Sequence, residues 1–278
     1  MPIPNPTLGG LQLWADVRLA GGYKVQRNVL TGHLRLLSPA DLRLISGSLR
    51  RCEARLERER PALPATGPHL VLGLHGIFRS RHALTPMMRG LRAAGLRAWA
   101  LNYPSTRQSL ERSADDLEDL IEHLEGVERL SFVAHSMGGL LVRELLARDA
   151  PWRQRIALGG LVTVASPHQG AELADLLRDS ELFHLIAGPS GQQLTTDRAP
   201  LLPLPPLPVL TVAGVQGRPS GLNPRIAGDD DMTVGAWSTH LPGEAAHLEV
   251  RAVHTFVQSH PEVVRAAARF LTSLPATG

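Results

Sequence analysis

Six apolar runs of strand length, separated by stretches of helical periodicity, constrain this chain more than any other feature. They are HLVLGL at 69–74, LRAWAL at 96–101, LSFVA at 130–134, ALGGLVTV at 157–164, PVLTVAGV at 208–215 and LEVRAV at 248–253. Between the second and third, Leu110, Ala114, Leu117, Ile121 and Leu124 recur three or four residues apart, the stripe of a helix lying on a sheet. Strands that are apolar along their whole length have no solvated face and need cover on both sides. Their alternation with helices predicts an α/β fold with a mostly parallel sheet of about six strands flanked by helices. A chain of 278 residues with 43% hydrophobic side chains is long enough to bury the core of one such domain.

Ahead of the first run, PALPATGP at 61–68 breaks the pattern and reads as a linker. The chain therefore divides into an N-terminal extension, 1–68, and a main domain, 69–278. Residues 1–37 are rich in turn formers and carry little periodic signal. At Ser38-Pro39-Ala40-Asp41, serine at the N-cap, proline at N1 and aspartate at N3 predict the start of a charged helix running to about Arg60. On this reading the extension is largely helical. It holds ten basic and five acidic side chains, against nineteen and twenty-one in the remainder. Such a basic segment suits an anionic lipid surface or, more simply, a solvated helix face. No nucleic-acid partner is expected, because no aromatic interleaving or RNA-binding motif accompanies the charge.

Lys24 is the only lysine, so Schiff-base chemistry has one unpromising candidate, and the single Cys52 excludes an internal disulfide framework and a cysteine metal cluster. The N-terminal stretch MPIPNPTLGGLQLWADVR has neither a basic n-region nor an apolar h-region, and no window reaches the roughly 18 apolar residues of a spanning helix. The expectation is a soluble, cytoplasmic chain. The run LLPLPPLP at 201–208 abuts a strand and reads as an ordered loop rather than a polyproline ligand.

The chemistry concentrates where strands end. FVAHSMGGLL, 132–141, places Ser136 between the end of a buried strand and the start of an apolar helix. Strand, sharp turn and helix are the setting of a nucleophile elbow, which needs small residues two positions before and after the serine, here Ala134 and Gly138. A serine needs a base, and the base an orienting carboxylate, supplied later in the chain in the order acid then histidine. The loop after PVLTVAGV contains Asp229-Asp230-Asp231-Met232-Thr233-Val234, and the loop after LEVRAV begins at His254. Asp231 adjoins the apolar segment that turns back to the core and is favoured, with Asp229 and Asp230 as alternatives; the three-aspartate run also suits a hard cation such as calcium. His254 is favoured over His260, which sits in a helix-start pattern, and over His247, which precedes its strand. The oxyanion calls for two backbone N–H donors. These are the N–H of Met137, at the helix start, and that of Ile77, or alternatively Phe78, in the turn His75-Gly76-Ile77-Phe78-Arg79-Ser80 after the first run. His75 is read as a brace for that turn. No metal or cofactor is needed by this chemistry.

On LVLGLHGIFRS, NYPST, FVAHSMGGLLVRELL, TVASPHQGAELADLL and DDDMTV followed by VHTFVQSHPEVVRAAARFL, residues 69–274 resemble the bacterial lipases and esterases of the α/β-hydrolase superfamily. The resemblance implies hydrolysis of a carboxylic ester, with a lipid or acyl ester as the expected class, by Ser136, Asp231 and His254 through an acyl-enzyme. An acyltransferase or thioesterase using the same triad is the alternative, and a non-catalytic interaction module a remoter one. Ser-Pro-His-x-Gly is usually structural in such lipases, so His168 is not placed in the triad. Met232 stands where many relatives carry glycine, and the family's first two sheet strands lack clear counterparts. The amphipathic stretch 171–187, within 171–207, is expected either to cap the site as a small lid or to be an ordinary packed helix.

Overall fold

The computed structural model describes residues 12–59, 68–180 and 187–275. The first eleven residues, nearly all of the expected linker at 61–68, and residues 181–186 of the expected lid lie outside the described residues.

The extension differs from its expectation. It is led by four antiparallel strands, β1 (Trp14–Ala20), β2 (Tyr23–Asn28), β3 (Leu34–Leu37) and β4 (Arg43–Gly47), in the order β1-β2-β3-β4. Helix α1 (Leu49–Glu59) follows and buries Cys52 and Leu56 against Ala15, Val17, Val25 and Leu36 of the sheet. The predicted helix start at Ser38 is a tight loop instead: Ser38 N–H bonds to Leu42 O, while Ser38 O and Oγ accept the N–H groups of Asp41 and Leu42. Serine, proline and aspartate are turn formers as readily as helix caps, and here the strands on either side decide. The cap lies ten residues on, at Ser48, whose Oγ accepts Arg51 N–H.

The reason this sheet escapes a search for apolar stripes is that its polar side is buried too. Asp16, Arg18, Lys24, Gln26 and Arg35 are all under 10% exposed. They satisfy one another or neighbouring groups, as buried polar groups must: Gln26 Nε2–H donates to Asp16 Oδ1, Arg35 to Gln26 Oε1, Arg18 to Glu53 and Asp119, and Lys24 to Gly22 O. Lys24 thus belongs to a strand, and burial pushes its ammonium down to about 8.

The expected parallel sheet of six strands flanked by helices is present. Six parallel strands, β5 (His69–Leu74), β6 (Arg97–Leu101), β7 (Arg129–His135), β8 (Ala157–Val164), β9 (Val209–Val215) and β10 (Ala246–Arg251), lie in the order β10-β9-β8-β7-β5-β6. On one face α3 (Leu110–Glu122) and α4 (Met137–Leu146) close a core in which the whole predicted stripe Leu110, Ala114, Leu117, Ile121 and Leu124 is buried. On the other face α2 (Thr85–Ala93) and the last helix, α6 (Pro261–Ser273), bury Met87, Met88, Leu91, Val263, Ala267 and Leu271; the short helix α5 (Glu172–Leu177) lies between β8 and β9 in the chain. This is the α/β-hydrolase fold. All six strands end on one edge, so the loops after β5, β7, β9 and β10 gather there. No described helix is long and apolar enough to cross a membrane.

Candidate active site

β7 runs into α4 through a single residue, Ser136, at φ 53° and ψ −127°. A side chain in this sparsely allowed region is held by its surroundings: Ser136 N–H donates to Val164 O on β8, and Ser136 O accepts Gly139 N–H of α4. The small residue expected at 138 is required, since a Cβ there would meet Leu74 O at 2.6 Å and His75 O at 2.9 Å. The same packing presses the loop after β5 onto the serine, where a Cβ at Gly76 would lie 2.9 Å from Ser136 Cβ.

The structure brings the three favoured residues together. His254 Nε2 lies 3.0 Å from Ser136 Oγ, and His254 Nδ1 lies 2.7 Å from Asp231 Oδ2. Asp231 is 1% exposed, and its other oxygen accepts the N–H groups of Thr233 and Val234. Both carboxylate oxygens are therefore engaged, and the one facing His254 requires a proton on Nδ1, which leaves Nε2 free to accept from the serine hydroxyl. The backbone adds a second tie, from His254 N–H to Asp231 O.

The neighbouring aspartates build the loop. Asp229 accepts the N–H groups of Gln216, Gly217, Arg218 and Asp230; Asp230 accepts those of Leu222, Asn223 and Met232. Neither reaches His254 in a hydrogen bond. Met232 sits at φ 88° with its side chain more than half exposed. A left-handed conformation costs an L side chain about 1 kcal/mol that glycine escapes. Met232→Gly is expected to raise Tm by about 2 °C in thermal unfolding, and an unchanged or lower Tm would contradict that account.

The other histidines separate as expected. His260 caps α6, its Nδ1 accepting Glu262 N–H, and His168 is buried with Nε2 3.0 Å from Thr163 Oγ1. His75 is fully buried, donates Nδ1–H to Gly76 O and stacks on Tyr103. Burial lowers it to about 4, so it braces the loop as a neutral ring. Two contributors were missed in the sequence. His135 donates Nε2–H to His254 O at 3.0 Å, and burial keeps it uncharged. Arg143, on α4, reaches the carbonyls of His168, Ala199, Leu202 and Pro203, tying down the loops behind the serine, including the start of the Pro-Leu run. His135 occupies the unconstrained position of the elbow motif, and a buried arginine leaves no pattern along the chain.

Among the described residues, one group offers metal-ligand spacing: His240, Glu244 and His247, with ligand atoms within 4.8 Å of one another. The two imidazoles stack at 3.8 Å with 23° between their planes. Ring lone pairs lie in the ring plane, so two nearly parallel rings do not aim at one ion. His240 Nδ1–H instead donates to Glu244 Oε1, while Glu244 Oε2 and His247 Nδ1 meet Thr211 Oγ1.

In fold, the chain is similar to the mature lipase BlEst2 of Bacillus licheniformis, with a TM-score of 0.60 and 17% identity over 75% of this chain and 93% of that one. It is similar as well to the metagenomic carboxyl esterase MGS0156, with a TM-score of 0.53 and 18% identity over 75% of this chain and 76% of that one. A third such structure is the monoacylglycerol lipase of Paleococcus ferrophilus, at 0.51 and 16% over 73% of this chain and 94% of that one. No curated protein matches the chain in sequence. A family model described as "Domain of unknown function (DUF7379)" matches residues 48–200, more than half of the chain, which therefore belongs to that family.

Proposed function

We propose that this protein is a serine hydrolase of carboxylic esters, with Ser136 as nucleophile, His254 as general base and acid, and Asp231 as the carboxylate that orients it. The observation that carries the reading is the unbroken run of contacts from Ser136 Oγ through both nitrogens of His254 to a buried, fully engaged Asp231.

The reaction follows from proton positions. His254 Nε2 takes the hydroxyl proton as Ser136 Oγ bonds to the ester carbonyl carbon, and the imidazolium faces Asp231 across 2.7 Å. The carbonyl oxygen becomes an oxyanion. Its donors on this reading are the N–H of Met137, an orphan at the first turn of α4 with the helix dipole behind it, and the N–H of Ile77 in the loop pressed against Ser136. The imidazolium then protonates the leaving alcohol, the acyl group stays on Ser136, and water activated by His254 releases the acid. Three exposed apolar side chains flank the pieces of this site in the chain, Phe78 after Ile77, Met232 after Asp231 and Phe256 two residues past His254, and Leu176 on α5 is exposed as well. They support an acyl or lipid ester as the substrate class and α5 as part of a cap over the acyl chain.

A fluorophosphonate phosphonylates only an activated serine. Treatment of the protein followed by mass mapping is expected to find the adduct on the peptide carrying Ser136. An unlabelled protein, or an adduct on another residue, would sink the assignment.

A further inference from the structure

The loop said to supply an oxyanion donor has little to hold it from within: His75 Nδ1–H and Arg79 N–H both converge on Gly76 O, and Phe78 sits at φ 60°. What holds it from outside is the N-terminal segment, 67 residues earlier in the chain. Gln12 Nε2–H donates to Arg79 O at 2.7 Å, while Gln12 Oε1 accepts Ser105 Oγ–H at 2.9 Å, Thr106 N–H at 3.1 Å and Thr106 Oγ1–H at 3.2 Å. The orientation of this amide is dictated by its partners. A backbone carbonyl on one side demands the NH₂ group, and a backbone N–H on the other demands the oxygen. One carboxamide therefore bolts the loop after β5 to the loop after β6.

The sheet of the extension repeats this grip at two further points. Asn102 is joined to β1 by three bonds, two with Asp16 and one with Trp14: Asp16 N–H to Asn102 O at 2.9 Å, Asn102 N–H to Asp16 Oδ2 at 2.7 Å, and Asn102 Nδ2–H to Trp14 O at 2.9 Å. Tyr103, next in the chain, donates its hydroxyl to His75 O at 2.5 Å and stacks on the His75 ring. Asp41, in the turn before β4, pairs with Arg81 and with His82 just past the loop. From the loop itself Arg79 donates to Thr255 Oγ1 at 2.7 Å, one residue beyond His254. The segment Gln12 fixes is thus in contact with both the candidate nucleophile and the loop that carries the candidate base.

We infer that Gln12 is a positioning residue for ester hydrolysis, and that the N-terminal sheet serves the reaction by fixing the oxyanion loop in register with Ser136 and His254. The inference rests on the reading of Ser136 as nucleophile. The hydrogen bonds of the Gln12 carboxamide end on the loop after β5 and the loop after β6, so its loss acts first on those two loops.

The test is Gln12→Glu in the full-length protein, with Gln12→Ala beside it. Glutamate keeps an oxygen for Ser105 and Thr106 but turns a second oxygen toward Arg79 O, where two acceptors repel. The expected result on a p-nitrophenyl ester is a fall in kcat of about tenfold or more with KM within about twofold, since displacement of an oxyanion donor acts on the transition state. Affinity for phenylboronic acid, whose adduct with a serine carries the tetrahedral anion, is expected to fall by the same factor while Tm stays close to wild type. A kcat unchanged in both variants overturns the inference and leaves the hydrolase reading standing. A loss that Tm and KM share with kcat also overturns it, by making Gln12 a support of the fold alone. Wild-type protein that neither turns over the ester nor labels at Ser136 overturns the hydrolase reading and this inference with it.

Discussion

Ser136→Ala is expected to lower kcat on a p-nitrophenyl ester by about 10⁴-fold or more, with Tm within a few degrees of wild type. The size of the effect follows from the loss of the covalent route. Without Oγ no acyl-enzyme forms, and His254 is left to activate water at a carbonyl still held by backbone donors, which accounts for a residual rate above that in free solution. The small effect on stability follows from the local structure. The hydroxyl bonds to His254, whose side chain keeps 14% exposure, whereas the strained backbone at φ 53° is held by Val164 O and Gly139 N–H, neither of which involves the side chain. A variant that keeps more than a tenth of wild-type kcat would remove Ser136 from the chemistry, whatever its contacts.

The parts of this arrangement that were legible in the sequence are those with a local physical signature. A strand buried on both faces must be apolar throughout, so the four inner strands β5, β7, β8 and β9 announced themselves, and an elbow without room for a Cβ at 138 must carry glycine there. The loops bearing Asp231 and His254 could be located because parallel strands deliver their C-terminal ends to one edge. Where the signature depended on a distant partner, the sequence was mute or misleading. WADVRLA does alternate apolar and polar residues, but its polar members Asp16 and Arg18 are buried against partners as far away as Asn102 and Asp119, and a search for one dry face and one wet face passes over it. Ser38-Pro39-Ala40-Asp41 carries residues that cap helices and residues that make turns, and only the pairing of β3 with β4 chooses between them. The choice among three consecutive aspartates was of the same kind. Each is adjacent to the right loop, and what separates them is which backbone N–H groups the loop folds onto each carboxylate.

That separation makes the second large effect specific to one residue. Asp231→Asn is expected to lower kcat by about 10⁴-fold, and the argument is one of donors and acceptors. The amide oxygen can go on accepting the N–H groups of Thr233 and Val234, which leaves the NH₂ facing His254 Nδ1. A donor there requires Nδ1 to accept, so the ring proton moves to Nε2, and His254 presents a hydrogen to Ser136 where it needs a lone pair. Raising the pH does not restore the tautomer, so the loss is expected across the whole pH–rate profile. Asp230→Asn is the control because its carboxylate has a different task. It accepts Leu222, Asn223 and Met232 N–H at full burial, and an NH₂ in place of one oxygen abuts backbone donors on an interior loop. The cost is about 1–3 kcal/mol of stability, which would appear as a Tm lower by a few degrees, with kcat within tenfold of wild type. Measuring kcat and Tm on both variants decides between them. If Asp230→Asn carries the large kinetic loss and Asp231→Asn the thermal one, the carboxylate behind His254 is Asp230, and the bond to Asp231 is a feature of the loop.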